Sequence, residues 1–539
     1  MSRPNLGVLQ SQFSDCLNQE CSNGAEKFVK KLKKKPRHFE LVSCVYDKLK
    51  TYNMLEKTYE VDKKNDDEAE KFWKNGKDIF SKGMFNKALR AFTVALTKAE
   101  SDKWVASAYA HRSAVLFKLE QYEDCIADID RAFANNCPEE LRASLKLRKT
   151  KARELFRASR TTRIYCEDPP EIPRKHRTEP CASDSVEVRT VGSRSCVYAT
   201  KDIQIGEVIA VEPALTAVIA QANLNHCHRC FKLCYNPIPC NMCTQALYCS
   251  EACKEEDLPG YHQYLCPILL SLKKLIGSRA YFLLAVRMAL ENLHERNDGL
   301  AKLKQNIDRV AMKDNEILPT TVTTAFIFYL FRKHTDKFKT KDKKADKDLK
   351  DQLVSFIRVS FVHASGIEEL YPSETDGLSR MLLETVACAV FPFYESFRHA
   401  CCPNIFIQNH GLKRVMRAFR TIKKGQECFV SFGAVYTETP KASRQHRLFT
   451  QYGFRCKCQA CEGNWPQLEE DVYSTSSKED IMFLFAIKGC NVTLAKRTIP
   501  KKIETLKELE GFEPNPTLTF QQKILQHCYD VLGNKRLIT

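Results

Sequence analysis

Residues 227–266 read CHRCFKLCYNPIPCNMCTQALYCSEACKEEDLPGYHQYLC. This segment contains two CxxC steps, followed by two pairs of metal-binding side chains with i, i+4 spacing. The eight candidate ligands are Cys227, Cys230, Cys240, Cys243, Cys249, Cys253, His262 and Cys266. Thiolates three positions apart on a tight turn can share one tetrahedral ion, and i, i+4 ligands project from one face of a helix. Eight ligands complete two four-coordinate sites without an open position, so we predict two structural zinc ions.

The composition favours metal binding over disulfide bonding. The chain has 539 residues, of which 25 are cysteine, and a formal charge of +18. At about 100–200 residues per domain, this length predicts roughly three to five domains. The N-terminus has no secretory signal pattern and no apolar run is long enough to span a membrane, so we expect a soluble intracellular protein, in which disulfides are rare. The positive charge favours acidic partners.

A second cysteine motif lies towards the C-terminal end. Cys456, Cys458 and Cys461 form a CxCxxC motif that offers three thiolates, one fewer than a tetrahedral zinc site needs. Cys401, in the sequence FRHACCPN at residues 397–404, is the candidate for the fourth ligand. We therefore predict a third zinc ion, held by cysteines that are distant in sequence.

Residues 69–156 repeat themselves with a period of 37. The apolar or small residues Phe85, Ala88, Phe92 and Ala95 recur as Tyr122, Cys125, Ile129 and Ala132. Small residues at close contacts allow paired helices to approach, and large residues fill the space between them. This helix–turn–helix unit resembles the tetratricopeptide repeat, whose period is about 34 residues. Such an array is either a peptide-binding platform or a buttress for the neighbouring domain.

The N-terminal segment contains the basic run KKLKKKPR at residues 30–37. One interpretation is a nuclear-import or nucleic-acid patch. The other is a solvated helix face above Phe28, Leu32 and Phe39. On the strength of this run we predict a cytoplasmic and nuclear location.

Taken together, the cysteine motifs resemble those of a known family. The ligand order and the Tyr248-Cys249 step resemble the MYND finger, and the pair formed by residues 397–404 and the CxCxxC resembles the SET domain with its post-SET zinc site. A MYND finger between two SET halves, preceded by tetratricopeptide repeats, resembles the SET-and-MYND (SMYD) protein-lysine methyltransferases. The fold class this implies is multidomain α+β: an N-terminal TPR-like helical array, a SET β-fold split by a two-zinc MYND finger, a post-SET zinc site and a helical C-terminal region.

The resemblance implies how the ligands are shared and what the protein does. It groups Cys227, Cys230, Cys249 and Cys253 on one ion, and Cys240, Cys243, His262 and Cys266 on the other. It implies methyl transfer from S-adenosylmethionine to a lysine of a protein substrate, through a channel with Tyr452 and Phe432 at the two tyrosine positions. Cofactor contacts would come from Arg194, Cys196, Arg398, His399 and Phe454. MYND fingers mostly bind proline-containing peptides, so protein partners are expected, and neither a membrane nor direct nucleic-acid contact is.

At several of these positions the sequence departs from the family pattern. Arg398 and Ala400 replace the Asn and Ser of the NHS motif, Phe432 lacks the tyrosine hydroxyl, and Arg194 and Cys196 replace a glycine pair. Losing a positioned hydroxyl or donor costs on the order of 10²–10³-fold in rate. Arg398 could instead pair with the methionyl carboxylate. Two functions follow: a methyltransferase, which could act in transcriptional regulation, or a weak or inactive SET-fold adaptor.

The predicted organisation has nine segments. They are a basic helical segment (1–68), TPR-like repeats (69–156), a linker (157–180), the SET N-terminal part (181–226), the MYND finger (227–266), a helical SET insert (267–385) with a charged, mobile loop (333–350), the SET C-terminal part (386–440), the post-SET segment (441–463) and a helical C-terminal domain (464–539).

Overall fold

The computed structural model divides the chain into two compact units. It describes residues 5–158, 167–192, 194–220, 224–294, 297–338, 342–375, 378–468, 480 and 491–535. The first unit comprises residues 1–163 and 218–364, and the second comprises residues 164–217 and 365–537. Each unit is built from two stretches of sequence, because the chain leaves the second unit at residue 217 and returns to it at residue 365. No helix among the described residues is long and apolar enough to cross a membrane.

The first unit begins with three helices and a short 3-10 turn. Their bounds are Leu6–Glu20, Gly24–Leu32, His38–Thr51 and Leu55–Thr58. The basic run lies at the end of the second helix and beyond it. Phe28 and Leu32 are buried, whereas the lysines around them are exposed. These contacts agree with the interpretation of the run as a solvated helix face.

Five consecutive helices form the array over the repeated segment. Their bounds are Asp66–Ser81, Phe85–Lys98, Asp102–Lys118, Tyr122–Ala134 and Glu139–Ala158. Each packs against the next. Gly76 is needed for this packing, since a Cβ there would lie 2.8 Å from the ring of Phe92. The predicted helical pairs are thus present, while the assignment to the tetratricopeptide class stays a prediction.

The finger and a helical region complete the first unit. The finger contains the strands Ile238–Pro239 and Leu247–Tyr248 and the helical segments Glu251–Asp257, Leu258–His262 and Gln263–Leu265. The following helices are Leu269–Ile276, Ala280–His294, Asp298–Asp308, Asp314–His334 and Lys343–His363, with a 3-10 turn at Asp336–Phe338.

The charged run 333–350 differs from its prediction as a mobile loop. Residues 343–350 are the first two turns of the helix Lys343–His363, and only part of the run lies between helices. The Asp342 side chain accepts hydrogen bonds from the backbone N–H groups of Lys344 and Ala345, which satisfies the helix start. Leu349 is fully buried and is the one buried residue of these two charged turns, ahead of the buried stretch 353–360 of the same helix. Because charged residues surround Leu349 in the sequence, this stretch was predicted as a loop.

The second unit is mainly β-structure with helices at its C-terminal end. One antiparallel hairpin is formed by Val186–Val191 and Arg194–Ala199, and a three-stranded sheet has the order Ile405–His410, Lys413–Ala418, Val208–Pro213. The strand Thr216–Ile219 spans the division between the units. The remaining helical segments are Tyr394–Ser396, Lys441–Tyr452, Gln459–Glu462, Val492–Glu508 and Pro516–Leu532.

A long hairpin replaces the end of the predicted helical insert. The strands Ser365–Thr375 and Leu378–Val390 pair antiparallel, so the helical prediction for 267–385 is wrong after residue 364. The dipeptide Asp376-Gly377 between them was an available signal, because Asp-Gly favours a two-residue hairpin turn.

The predicted helical C-terminal domain contains two helices among its described residues. The helix Val492–Glu508 is capped by Asn491 and contains Pro500, and the helix Pro516–Leu532 follows it. Residues 469–479 and 481–490 of this domain lie outside the described residues. The side chains of Phe520, Ile524 and Cys528 belong to the same buried cluster as the cysteines at 401, 456 and 461.

Candidate functional site

The eight finger ligands form two tetrads in the first unit. Cys227, Cys230, Cys249 and Cys253 lie together, as do Cys240, Cys243, His262 and Cys266, with all ligand atoms of a group within 4.8 Å of one another. The separations include 3.5 Å between the sulfurs of Cys230 and Cys249 and 3.3 Å between His262 Nε2 and Cys240 Sγ. Zn–S bonds of about 2.3 Å give tetrahedral edges of roughly 3.8 Å, so these groups fit one zinc ion each.

Local structure explains how the finger brings its ligands together. Ser250 caps the helix Glu251–Asp257 by accepting a hydrogen bond from the Cys253 backbone N–H at 3.2 Å. This cap directs Cys253 back towards Cys249, with the two sulfurs 3.6 Å apart. Tyr248, which is fully buried, donates its hydroxyl hydrogen to Asp257 at 2.9 Å and ties the strand to the same helix.

The finger is attached to the helical array by a buried ion pair. Arg112 and Asp128, both with fully buried side chains, are joined by two hydrogen bonds of 2.7 and 2.9 Å. Arg112 also donates to the Pro237 carbonyl at 3.0 Å, and Arg131 donates to the Asn236 carbonyl at 2.9 Å. The side chains of Arg112 and Arg131 therefore donate to backbone carbonyls of the finger. This favours the interpretation of the array as a buttress over its interpretation as a peptide-binding platform.

A third tetrad lies in the second unit. Cys401, Cys456, Cys458 and Cys461 have their sulfurs within 4.8 Å of one another. The prediction of three four-coordinate clusters is thus confirmed. Cys401 comes from the segment after residue 398 and the other three flank or lie in the short helix Gln459–Glu462, so one ion would fasten two distant stretches of chain.

Two residues that the sequence did not single out support this third tetrad. Gln445 donates to the Cys461 sulfur at 3.3 Å and to the Cys456 carbonyl at 2.8 Å, and accepts from the Cys456 N–H at 3.0 Å. Arg444, 1% exposed, lies with Nη2 3.9 Å from the Cys461 sulfur. Four thiolates around one Zn²⁺ leave two negative charges, which a buried guanidinium and an amide donor offset.

The segment after Pro392 crosses a second segment beside this tetrad. Arg398–His399 pairs in parallel with Phe429–Val430, with Arg398 opposite Phe429. Asn404 fixes the crossing: its side-chain amide donates to the Glu427 carbonyl at 2.9 Å and accepts from the Phe429 N–H at 2.7 Å. The two segments are therefore held together by backbone pairing and by one side chain.

His399 has both ring nitrogens engaged at this crossing. Its Nδ1 accepts a hydrogen bond from the Phe432 N–H at 3.0 Å, and its Nε2 lies 3.4 Å from the Cys401 sulfur. Burial lowers the pKa of His399 to about 4, so the ring is neutral at pH 7. A neutral imidazole that accepts at Nδ1 carries its proton on Nε2, which faces Cys401. These contacts favour a positioning role over that of a general base.

An aromatic cluster surrounds the other side of the crossing. The Phe432 ring centroid lies 4.9 Å from that of Tyr452 and 5.4 Å from that of His399, and Phe454 lies 6.1 Å from His399. Gly453, with φ +77°, ends the helix Lys441–Tyr452 in the left-handed region and so lets Phe454 return to the cluster. Four of the residues predicted for the site thus come together: His399, Phe432, Tyr452 and Phe454.

Arg398 lies at the same crossing, but its side chain contacts Glu427. Its guanidinium makes a bidentate ion pair with Glu427, a residue the sequence analysis did not single out. The hydrogen bonds with Glu427 are the main reason that the pKa of Arg398 is raised. Glu427 could have been found from its place two residues before the strand Phe429–Val430, which pairs with residues 398–399.

The remaining two predicted cofactor residues lie on the first hairpin of the second unit. Arg194 opens its second strand opposite Val191, and Cys196 pairs with Arg189. Cys196 is 1% exposed. The next residue, Val197, accepts a backbone hydrogen bond from the Cys428 N–H at 2.8 Å, which connects this hairpin to the segment carrying Glu427. The hairpin backbone therefore borders the crossing.

Parts of this chain are similar to a known family and to known proteins. Residues 227–266 match the MYND finger family. The chain is similar to the N-lysine methyltransferase SMYD2 of Bos taurus (24% identical over 331 residues, 60% of this chain) and of Homo sapiens (25% identical over 331 residues, 60% of this chain). It is also similar to the protein-lysine N-methyltransferase SMYD4 of Danio rerio, 22% identical over 505 residues and 74% of this chain. In all three cases the match spans 66% of the relative's length.

The comparisons and the structure agree on one architecture. The matched finger contains two of the three tetrads, the third tetrad joins residue 401 to the CxCxxC motif, and mixed helices and strands surround them. The similarity to SMYD2 and SMYD4 extends well beyond the finger. The chain therefore contains a MYND finger and is similar over 60% of its length to SMYD2 and over 74% to SMYD4.

Proposed function

We propose that this protein is an S-adenosylmethionine-dependent protein-lysine N-methyltransferase of the SET-MYND type. The observation that carries the proposal is the crossing of residues 398–401 with residues 429–432, bordered by the aromatic rings of Tyr452 and Phe454 and fastened by the third tetrad. The names of the similar proteins support the same reaction class.

The groups around the crossing fit the cofactor at two points. The rings of Phe432, Tyr452 and Phe454 offer aromatic faces to a sulfonium cation. Arg398, with a 44% exposed side chain, offers hydrogen-bond donors to a carboxylate. When bound, S-adenosylmethionine would supply an electrophilic methyl group. Arg194, Cys196 and His399 stay in the proposal as residues that border the site.

The chain's own residues would act on the incoming lysine. An aromatic channel disfavours the charged ammonium form and so promotes the neutral amine that is needed as a nucleophile. Burial raises the pKa of Tyr452, so its hydroxyl stays protonated and available as a donor at neutral pH. Phe432 offers no such group, and its missing hydroxyl would lower the rate by on the order of 10²–10³-fold.

The test combines cofactor binding with methyl transfer. Purified, zinc-loaded protein should bind S-adenosylmethionine in calorimetry and transfer a radiolabelled methyl group to protein substrates. Phe432→Tyr should raise the transfer rate, because it restores the hydroxyl of the family pattern. Absence of cofactor binding at saturating concentration would end the proposal.

A second candidate is a SET-fold adaptor with little or no turnover. It is favoured by Phe432, which lacks the hydroxyl, and by Arg398, whose guanidinium is already paired with Glu427. In this case the MYND finger would bind protein partners while the SET core acts as a scaffold. An adaptor would retain partner binding in Tyr452→Phe, whereas a methyltransferase would lose product formation.

The partners, the cellular role and the location of the protein are further proposals. We propose that the finger binds peptide partners and that the protein takes part in transcriptional regulation in the nucleus and the cytoplasm. The basic run at residues 30–37 supports nuclear access, since its lysines are exposed. Imaging of the intact chain and of a variant with these lysines replaced by glutamine would test the location.

A further inference from the structure

A buried tyrosine hydroxyl lies beside the position at which the hydroxyl of the family pattern is missing. The ring centroid of Tyr394 lies 6.3 Å from that of Phe432, and the two ring planes are inclined by 60°. The Tyr394 hydroxyl donates to the carbonyl of Ser431, the residue before Phe432, at 3.1 Å. The ring of Phe432 also contacts that of Tyr452, with the centroids 4.9 Å apart. Tyr394 therefore belongs to the same aromatic cluster as the predicted site residues.

Neighbouring groups hold the Tyr394 ring in place. Its backbone N–H donates to the carboxyl group of Glu212 at 2.9 Å, and the guanidinium Cζ of Arg414 lies 4.7 Å from its ring centroid. The whole residue is 6% exposed. Burial is the main reason that the pKa of Tyr394 is raised, so its hydroxyl stays protonated at neutral pH. A polar group fixed in this way needs no reorganisation when a substrate arrives.

The hydrogen bond to Ser431 determines what the Tyr394 hydroxyl can still do. A tyrosine hydroxyl has one hydrogen to donate and lone pairs that accept. The Ser431 carbonyl takes that hydrogen, and among the described residues none donates to the hydroxyl oxygen. The oxygen is thus left as an acceptor, and a neutral lysine amine has N–H groups to donate. An amine held through one N–H has its lone pair directed away from that bond, which favours attack in one direction.

Resting on the proposed function, we propose that Tyr394 is a catalytic residue that partly replaces the hydroxyl lost at Phe432. Its oxygen accepts a hydrogen bond from the substrate amine and so orients the lone pair of the nitrogen towards the methyl group. The nitrogen forms a bond to the methyl carbon while the bond from that carbon to sulfur breaks and leaves its electron pair on sulfur. Tyr394 neither gains nor loses a proton in this step. The replacement is partial because the hydroxyl comes from a different backbone position.

A shared role predicts that positions 394 and 432 do not act independently. If Tyr394 supplies the hydroxyl, its loss is costly while residue 432 is phenylalanine and costs little once Phe432→Tyr provides a second hydroxyl. If Tyr394 only supports the fold, its loss lowers the rate by the same factor in both chains. Comparison of the two chains therefore separates a catalytic role from a structural one.

The experiment measures single-turnover methyl transfer by the zinc-loaded full chain at saturating S-adenosylmethionine. The probe is a pool of synthetic peptides that each contain one lysine. We expect Tyr394→Phe to lower the rate by about 10²-fold in the unchanged chain and by less than about threefold in Phe432→Tyr, with the cofactor affinity unaltered. Tyr529→Phe is the matched control, because Tyr529 is 5% exposed and its ring contacts Phe406 instead. This control should leave the rate unchanged in both chains.

Each other outcome overturns the role of Tyr394. Equal losses in the two chains, or no loss in either, would do so and leave the methyltransferase proposal standing. Transfer by Phe432→Tyr with none by the unchanged chain would do the same, because Tyr394 would then replace nothing. Absence of transfer from every variant would overturn both proposals. Tyr394→Met, which also lacks the hydroxyl, is a second variant for use if Tyr394→Phe folds poorly. Zinc content and thermal unfolding of each variant establish that it is folded.

Discussion

Arg112 and Asp128 form a bidentate ion pair whose two side chains are both completely buried between helices of the array. The same guanidinium donates to the carbonyl of Pro237 in the finger, so one arginine stabilises the array and its contact with the zinc-binding segment together. Burial of this ion pair is tolerated because nearly every N–H donor of Arg112 has an acceptor. The hydroxyl of Thr93 is one of these acceptors.

Replacing Arg112 by alanine should be strongly destabilising. The change leaves Asp128 as a buried charge with only Arg131 beside it and also removes the contact with Pro237. We expect the free energy of unfolding of the first unit to fall by about 3–5 kcal/mol, as for other buried pairs that lose one partner. Chemical denaturation measures the change, with Glu70→Gln as the control, because the Glu70–Lys74 pair is exposed. A loss as small as that of the control would contradict the assigned role.

Zinc determination should give about three ions per folded chain, one for each tetrad. Cys456→Ser should lose one of them, since the third tetrad then has only three thiolates. A chelator titration should remove the zinc of the second unit more readily from Gln445→Ala than from the unchanged protein, by about 10–100-fold in affinity. Gln467→Ala is a suitable control, because Gln467 is exposed and donates a hydrogen bond to the Glu438 carbonyl. Two ions or fewer in the unchanged chain would contradict the count.

Tyr452→Phe should lower methyl transfer by on the order of 10²–10³-fold if its hydroxyl acts on the reacting lysine. The affinity for the cofactor should change little, because the aromatic ring that faces Phe432 is retained. Single-turnover rates and calorimetry separate the two quantities. Tyr281→Phe, in the helix Ala280–His294 of the first unit, is the control. Equal rates in Tyr452→Phe and the control would remove Tyr452 from the mechanism.

The stability of the second unit should depend on the protonation of Glu212. Burial raises the pKa of this carboxyl to about 7, although the N–H groups of Phe393 and Tyr394 donate to it. Arg414 and Glu395 are the charged groups that act on it. The folded state therefore holds the proton more tightly than the unfolded chain does, so stability falls as the pH rises from about 4.5 to about 7 and is level above that range.

Denaturation at pH 6 and at pH 8 measures this effect. Glu212→Gln cannot titrate, so its free energy of unfolding should lose this part of the pH dependence. Glu187→Gln, at a position with a more exposed carboxylate, is the control and should behave as the unchanged protein does. An unaltered slope in Glu212→Gln would show that another group carries the dependence.

Local sequence was sufficient where the ligands of one site lie close together. Spacing alone indicated all eight ligands of the finger, since a CxxC turn and an i, i+4 pair fix the direction of their side chains. The array of helices could also be predicted from the sequence, because its buried small residues recur at a constant period. The first two turns of the helix Lys343–His363 and the hairpin formed by Ser365–Thr375 and Leu378–Val390 were missed. Those turns have one buried residue, Leu349, and long-range strand pairing leaves little local periodicity.

By itself the sequence determined which chemistries are present: three sets of soft ligands, a helical array and a family pattern with a lost tyrosine hydroxyl. Only the tertiary structure decided the partners of the charged residues. The sequence indicated no partner for Arg398 within this chain, and the parallel pairing of residues 398–399 with 429–430 brought Glu427 beside it. Arg112 was one basic residue among many until helix packing buried it against Asp128. The reason is physical: metal ligation is encoded by short spacing, whereas a charge acquires its role from whatever the fold places within a few ångströms of it.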